Sequence, residues 1–200
     1  QALKQLKKYE EFIEKHSPVT KNSGLFFFDS IGLIRPEVVR HRRKFTQRYL
    51  PPKDAKVLLL MPQIQSKPFH KAKEFRKSEK LLKEILKTDL SKVHVCFYAA
   101  PFGVVPIELD EVYPLSQHET VLPLDTETKV HVANEIAEYI NRTNYKTIIL
   151  VNDPENWKNT VLNACRKACK QKGIKFKTVS MKSFRLSQGK QLIVPEQPFS

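Results

Sequence analysis

His70 and His118 are the two histidines of this chain that fall in predicted loops, and imidazole is the side chain whose ordinary pKa suits proton transfer near neutrality. The six histidines stand scattered at 16, 41, 70, 94, 118 and 131, and a solitary histidine is more often structural than chemical. Asp110 and Glu111 form an adjacent acidic pair of the type general acid–base chemistry uses. Acids side by side on a turn are commonly solvated, and that is the expectation for both. Three loops lie beyond the carboxyl ends of predicted strands, where open α/β sheets place their ligands: 62–70, 99–106 and 152–156.

None of these loops carries G-x-G-x-x-G or a P-loop, and five glycines in 200 residues leave little for a phosphate cradle. G-x-S-x-G and H-E-x-x-H are also absent, which argues against an α/β hydrolase and a zincin. Cys96, Cys165 and Cys169 make an odd set without C-x-x-C spacing. Cys165 and Cys169 share a predicted helix face, but two thiolates are half a zinc site. All three read as buried small hydrophobes in a reducing compartment, and neither metal nor cofactor is expected.

Charge says more than any single residue. Thirty-five Lys+Arg against 21 Asp+Glu give a net charge of +14, which makes nucleic acid the leading partner. The basic residues are clustered: six against one acid over 35–48, eight against three over 67–87, and ten against none over 156–190. Residues 108–138, by contrast, hold eight acids and one lysine. If the three basic segments share a face, Arg40, Arg42, Arg43, Lys67, Lys71, Lys73, Arg76, Lys77, Arg166, Lys167 and Lys170 are the candidates to meet phosphates. The alternative is that each run is the solvated face of a helix.

The elements that must position these groups are read from periodicity. Leu3, Leu6, Phe12 and Ile13 predict an amphipathic helix over 2–16 with one packed face. Gly24 to Phe28 reads as a buried strand or plug, its three phenylalanines as core. Pro36 starts a short basic helix that ends before Pro51-Pro52, which marks a boundary between an N-terminal helical extension (1–52) and an α/β domain (53–200). From Ala55 onward strands and helices alternate: strand 57–61; a helix over about 71–87 facing inward through Ala72, Phe75, Leu82 and Leu86; strand 93–98; a helix over 126–142 facing inward through Val130, Ala133, Ile136, Ala137 and Ile140; and strand 147–151. A helix capped by Asp153 then runs to about Gln171 with Trp157, Val161, Cys165 and Cys169 as its stripe, Gly173 ends it, and a strand follows over 174–179. This order predicts an α/β three-layer sandwich with a mainly parallel sheet of four or more strands. With no apolar run of membrane-spanning length and no signal-peptide pattern, the expectation is a soluble, cytoplasmic protein without a membrane partner.

Two stretches carry a resemblance. Tyr9-Glu10-Glu11-Phe12-Ile13-Glu14-Lys15, continuing through Pro18-Val19-Thr20-Lys21-Asn22-Ser23-Gly24-Leu25-Phe26 and Arg35-Pro36-Glu37-Val38-Val39-Arg40-His41-Arg42, resembles the segment after the catalytic barrel in archaeal tRNA-guanine transglycosylases and archaeosine synthase. Pro101-Phe102-Gly103-Val104-Val105-Pro106 with Glu108-Leu109-Asp110-Glu111-Val112-Tyr113-Pro114 is similar to the next domain of those enzymes, so the resemblance covers about residues 2–151. Full-length members of that family carry a barrel with catalytic aspartates and usually an RNA-binding PUA domain, and 200 residues hold neither. The synthase relatives also have a motif after the first strand of this domain: Pro-Cys, three residues, Lys-Pro-Tyr/Phe, two residues, Ser, two residues, His. Pro62, Lys67, Pro68 and Phe69 match it, whereas Gln63, Ala72 and Phe75 stand where the cysteine, serine and histidine would be.

The resemblance implies an accessory, noncatalytic tRNA-binding domain of archaeosine modification that works with a separate transglycosylase barrel. It leaves open an archaeosine-synthase-like transferase acting on preQ0-modified tRNA, with Lys67 and His70 at its site. A third reading is a protein-interaction scaffold whose acidic 108–138 region docks a basic partner.

Overall fold

The computed structural model describes residues 7–16, 25–76 and 90–181. In chain order its elements are α1 (Glu10–His16), β1 (Leu25–Phe27), α2 (Pro36–Arg48), β2 (Val57–Pro62), β3 (Val93–Ala99), β4 (Gly103–Pro106), β5 (His118–Thr120), α3 (Thr126–Arg142), β6 (Thr147–Asn152), α4 (Pro154–Trp157), α5 (Thr160–Lys172) and β7 (Lys175–Ser180).

The apolar run of β2 takes the centre of a five-stranded sheet of order β4-β3-β2-β6-β7. It is parallel to β3 on one side and to β6 on the other, β7 continues parallel to β6, and β4 returns antiparallel to β3. Successive residues of β2 serve opposite cores. Leu58 and Leu60 pack with Val132, Ile136 and Tyr139 of α3 and with Val161, Cys165 and Cys169 of α5. Leu59 and Met61 pack with Leu25, Phe27, Val38, Phe69 and Phe75 on the other side. Apolar residues at every position of β2 therefore follow from a sheet covered on both faces, which is the mixed α/β architecture expected from the alternating elements.

Helix boundaries have local causes. Asp125 caps α3 by accepting the Thr128 N–H (2.9 Å), and Gly173 closes α5 in the left-handed conformation (φ 67°). The Lys172 ammonium donates to the carbonyls of Ile140, Asn141 and Thr143 at 3.1, 2.8 and 2.5 Å, tying the ends of α3 and α5 together. Gly103 (φ +82°) lies under α3, where an added Cβ would sit 2.6 Å from the Glu135 Cβ, so β4 approaches the helix this closely only with glycine.

Several expectations need correction. The described part of the N-terminal helix is α1, preceded by a 3-10 turn at Lys7–Tyr9; none of its residues is fully buried, Phe12 being 62% exposed and Ile13 half-buried. The inner stripe of α3 is rotated toward Val132 and Tyr139, with Val130 exposed, because Tyr139 buries its ring by bonding its hydroxyl to that of Tyr145 (2.8 Å). The helix after Asp153 is two helices, interrupted at Lys158, whose φ of 52° is incompatible with a continuous turn. Of the three phenylalanines read as core, Phe27 is buried while Phe26 and Phe28 are exposed, since β1 pairs with β5 in a separate parallel two-stranded ribbon with one outward face. The helix expected over 71–87 starts at Lys73 and is described to Arg76; Leu82, Leu86 and Lys77 lie outside the described residues, as do Leu3, Leu6 and residues 18–24. No helix among the described residues is long and apolar enough to cross a membrane.

Candidate functional site

Taken alone, the four parallel strands have the order β3-β2-β6-β7, so the chain reverses direction between β2 and β6, the place where sheets of this kind form a ligand crevice. The floor there is closed by hydrogen bonds. Gln63 donates its backbone N–H to Tyr98 O (2.9 Å) and accepts the Ala100 N–H on its side-chain oxygen (2.8 Å). The Tyr98 hydroxyl donates to Val151 O (2.7 Å), and Asp153 caps α4 through Asn156.

From this floor the loop 63–72 leads to the chemically richest cluster. It is anchored from below: Phe69 and Phe75 both pack on Phe97, with ring centroids 4.6 and 5.4 Å away, and Ala72 is buried beside them. A single 3-10 turn, Phe69–Lys71, then throws His70 and Lys71 to the surface. The His70 backbone N–H donates to one Asp110 oxygen (2.8 Å) and its ring Nδ1 meets the other (2.7 Å). Asp110 is 1% exposed. A buried carboxylate on Nδ1 fixes the ring and its tautomer and leaves Nε2 facing outward, 3.6 Å from Glu111 Oε1, in the manner of an oriented general base. Lys71 is ion-paired with Glu111.

Lys67 lies beneath this surface, its ammonium 5.7 Å from the Phe69 ring centroid. Burial holds its pKa below the usual lysine range, with Glu119 opposing. His118 is buried on β5, its Nδ1 bonded to Leu115 O (2.9 Å); burial first, and then the charge of Lys67, push its pKa down to about 3. His41, edge-on to Phe102, is lowered to about 4 by burial.

Lys67 and His70 thus share one anchored loop, as the sequence predicts. His118 stands in a strand rather than a loop, and Asp110 is the orienting partner of His70 rather than a solvated acid. Only Glu111 is exposed. The 3-10 turn Ile107–Leu109 with half-buried Leu109 turns Asp110 inward, a geometry with no sequence signal. At the opposite end of β3 a second polar cluster also escapes sequence reasoning: His94 joins Tyr145 (2.5 Å) and Glu108 (3.2 Å), and Tyr49 donates to Glu108 (2.5 Å). All three cysteines are buried.

The basic candidates do not gather on one face. Arg42 and Arg43 pair with Glu10 and Glu14, and Arg40 donates to Glu14 O (2.6 Å), so these arginines hold α1 against α2. That helix packs toward β4 through His41 and Phe102, whereas Arg166, Lys167 and Lys170 are exposed on α5, beside β6 and β7. Lys73 and Arg76 are exposed at the start of the helix after β2.

A family model described as "Domain of unknown function (DUF5591)" matches residues 38–189. The chain is 34% identical over 154 residues to a tRNA-guanine(15) transglycosylase of Saccharolobus solfataricus, covering 76% of this chain and 29% of that protein. It is 33% identical over 140 residues to the archaeosine synthase subunit alpha of Methanosarcina acetivorans, covering 69% and 22% respectively. It therefore spans less than a third of these relatives. Among solved structures, the crystal structure of AF0587, a protein of unknown function, superposes with a TM-score of 0.51 at 15% identity, over 78% of this chain and 51% of that one, which supports the fold.

Proposed function

The chain belongs to the DUF5591 domain family, and from that premise we propose that it is an accessory, noncatalytic tRNA-binding domain of archaeosine tRNA modification, working in the cytoplasm with a separate transglycosylase barrel. The observation that carries this reading is its likeness to one segment of relatives whose names place them on tRNA, combined with the residues it has at the synthase motif. Gln63 staples two strand ends, and Ala72 and Phe75 fill the core, so the three positions that differ from the motif serve the fold. The net charge of +14 suits a polyanionic partner. Binding of the full chain to a tRNA transcript should weaken steeply and linearly on a log–log salt plot. Absence of affinity at low salt would overturn the reading.

A second reading, a transferase acting on preQ0-modified tRNA, is favoured by one arrangement: His70 oriented by buried Asp110, with Lys67 held partly out of solvent in the same loop. It predicts a mass increase when preQ0-containing tRNA is incubated with lysine, this protein and a transglycosylase barrel. An unchanged mass with every barrel tried removes it.

A further inference from the structure

Between Asn156 and Met181 the chain carries seven Lys/Arg and no acid, and the fold arranges most of them around one edge of the sheet. Arg166, Lys167 and Lys170 follow helical spacing on the solvent side of α5, opposite the buried stripe Val161, Cys165, Ala168 and Cys169. On β7, Phe176 packs into the core shared with α5, so Lys175 and Lys177 project from the other face of the same strand. The cations therefore wrap β7 from both sides. That strand is last in the sheet and among the described residues pairs only with β6, leaving backbone N–H groups along its outer side. No acid among the described residues pairs with Arg166, Lys167, Lys170 or Lys177, in contrast to Arg42 and Arg43 of α2.

We infer that this rim of α5 and β7 is the surface that tracks an RNA phosphate backbone, and that α2 is not. The inference rests on the tRNA-binding reading above and assigns it a face. Lysine and arginine side chains with backbone amides beside them are the donor set that phosphate oxygens accept from, without base specificity. A protein partner fits less well. Protein interfaces draw their affinity from buried aromatic and apolar anchors, and every large exposed hydrophobic side chain of the described residues lies before Lys146, none on this rim. The acidic face of α3 lies away from this rim: Glu135 and Glu138 line a cleft with Phe45, Phe102 and Val104, toward β4 at the opposite edge of the sheet, so a polyanion meets the basic β7 edge and not that one.

The test compares two charge-matched pairs in the full chain, Arg166→Gln with Lys170→Gln on the rim, and Lys44→Gln with Arg48→Gln on the exposed side of α2. Affinity for a tRNA transcript is measured by fluorescence anisotropy across a salt series. The rim pair should lose about tenfold in affinity and flatten the log–log salt slope by about two, one for each phosphate contact, while the α2 pair stays within about twofold of the parent. Circular dichroism establishes that both variants fold, and the charge reversal Lys167→Glu gives the same direction from a third position. Equal losses in both pairs, or no loss at the rim, overturn the inference while leaving tRNA binding intact. A parent chain without tRNA affinity instead overturns the functional reading, and this inference with it. Self-association abolished by the rim variants would mean that the rim meets the acidic face of a second copy, and overturns it too.

Discussion

Acidifying the protein from about pH 7 to about pH 5 should remove roughly 4 kcal/mol of folding stability, through His118 and His41. Both are neutral in the fold: burial, aided at His118 by the Lys67 charge, lowers their pKa values to about 3 and about 4 from an ordinary 6.5. Burial disfavours a second proton at both rings, and His41 Nε2 is enclosed without a hydrogen-bond partner among the described residues. The His118 Nδ1 already donates to Leu115 O, and His41 is enclosed by Phe45 and Phe102. With the folded pKa depressed, the unfolded chain binds the extra proton. Stability is therefore complete above the unfolded value and falls as pH drops through the window from 6.5 toward 4 and 3. Glu108 acts in a lower window. Burial would raise its pKa, but hydrogen bonds from His94 and Tyr49 hold it below the ordinary 4.5, so its contribution is lost only in stronger acid. Urea unfolding at the two pH values measures the difference. His41→Gln with His118→Gln should lower stability at neutral pH yet flatten the pH dependence, and an unchanged slope in that double variant would sink the assignment.

How far the residues alone lead depends on whether their environment is local. β2, β3, β6 and β7 are legible because their alternation with helices sets the topology, and β2 and β3 are apolar runs buried on both faces. β4 and β5 are four and three residues long, too short for a period, and their pairing is set by partners far along the chain, β5 by β1 across more than ninety residues. The same ribbon exposes Phe26 and Phe28, because alternation within a strand outweighs the hydrophobicity of its residues when one face has nothing packed on it. Lys158 breaks a helix at a residue that carries no breaker signal. Of the site, Lys67 and His70 are visible through the loop that holds them, whereas Asp110 is not, since nothing in Glu108-Leu109-Asp110-Glu111 distinguishes the acid that turns inward from the one that turns out. The basic segments behave likewise. Their charge is read directly from composition, but whether an arginine is available depends on Glu10 and Glu14 arriving from another helix.

Those adjacent acids provide the sharpest contrast available in this fold. Asp110→Ala should destabilise the protein by about 3 kcal/mol, because it strands two donors at once, the His70 backbone N–H and ring Nδ1–H, both of which now meet a carboxylate enclosed by protein. Hydrogen bonds to a charged acceptor are worth about 1.5–3 kcal/mol each, and the partial exposure of the His70 ring, 33%, lets water recover part of the second. The loss should fall on the loop 63–72, since the His70 tether is the buried link from that loop to the segment after β4, beside the exposed Lys71–Glu111 pair. Glu111→Gln, one residue away, should leave the unfolding midpoint where it is: its ion pair with Lys71 is solvent-exposed, and such pairs contribute little. Asp110→Asn separates charge from hydrogen bonding, since the amide oxygen still accepts one donor while the amide nitrogen opposes the other, and it should fall between the two. If Asp110→Ala and Glu111→Gln unfold together under denaturant, Asp110 is solvated and the oriented imidazole of His70 is not held by it. If they separate as expected, hydrogen exchange at the His70 amide should rise by a factor that matches the lost stability, which ties the effect to this bond rather than to general loosening of the core.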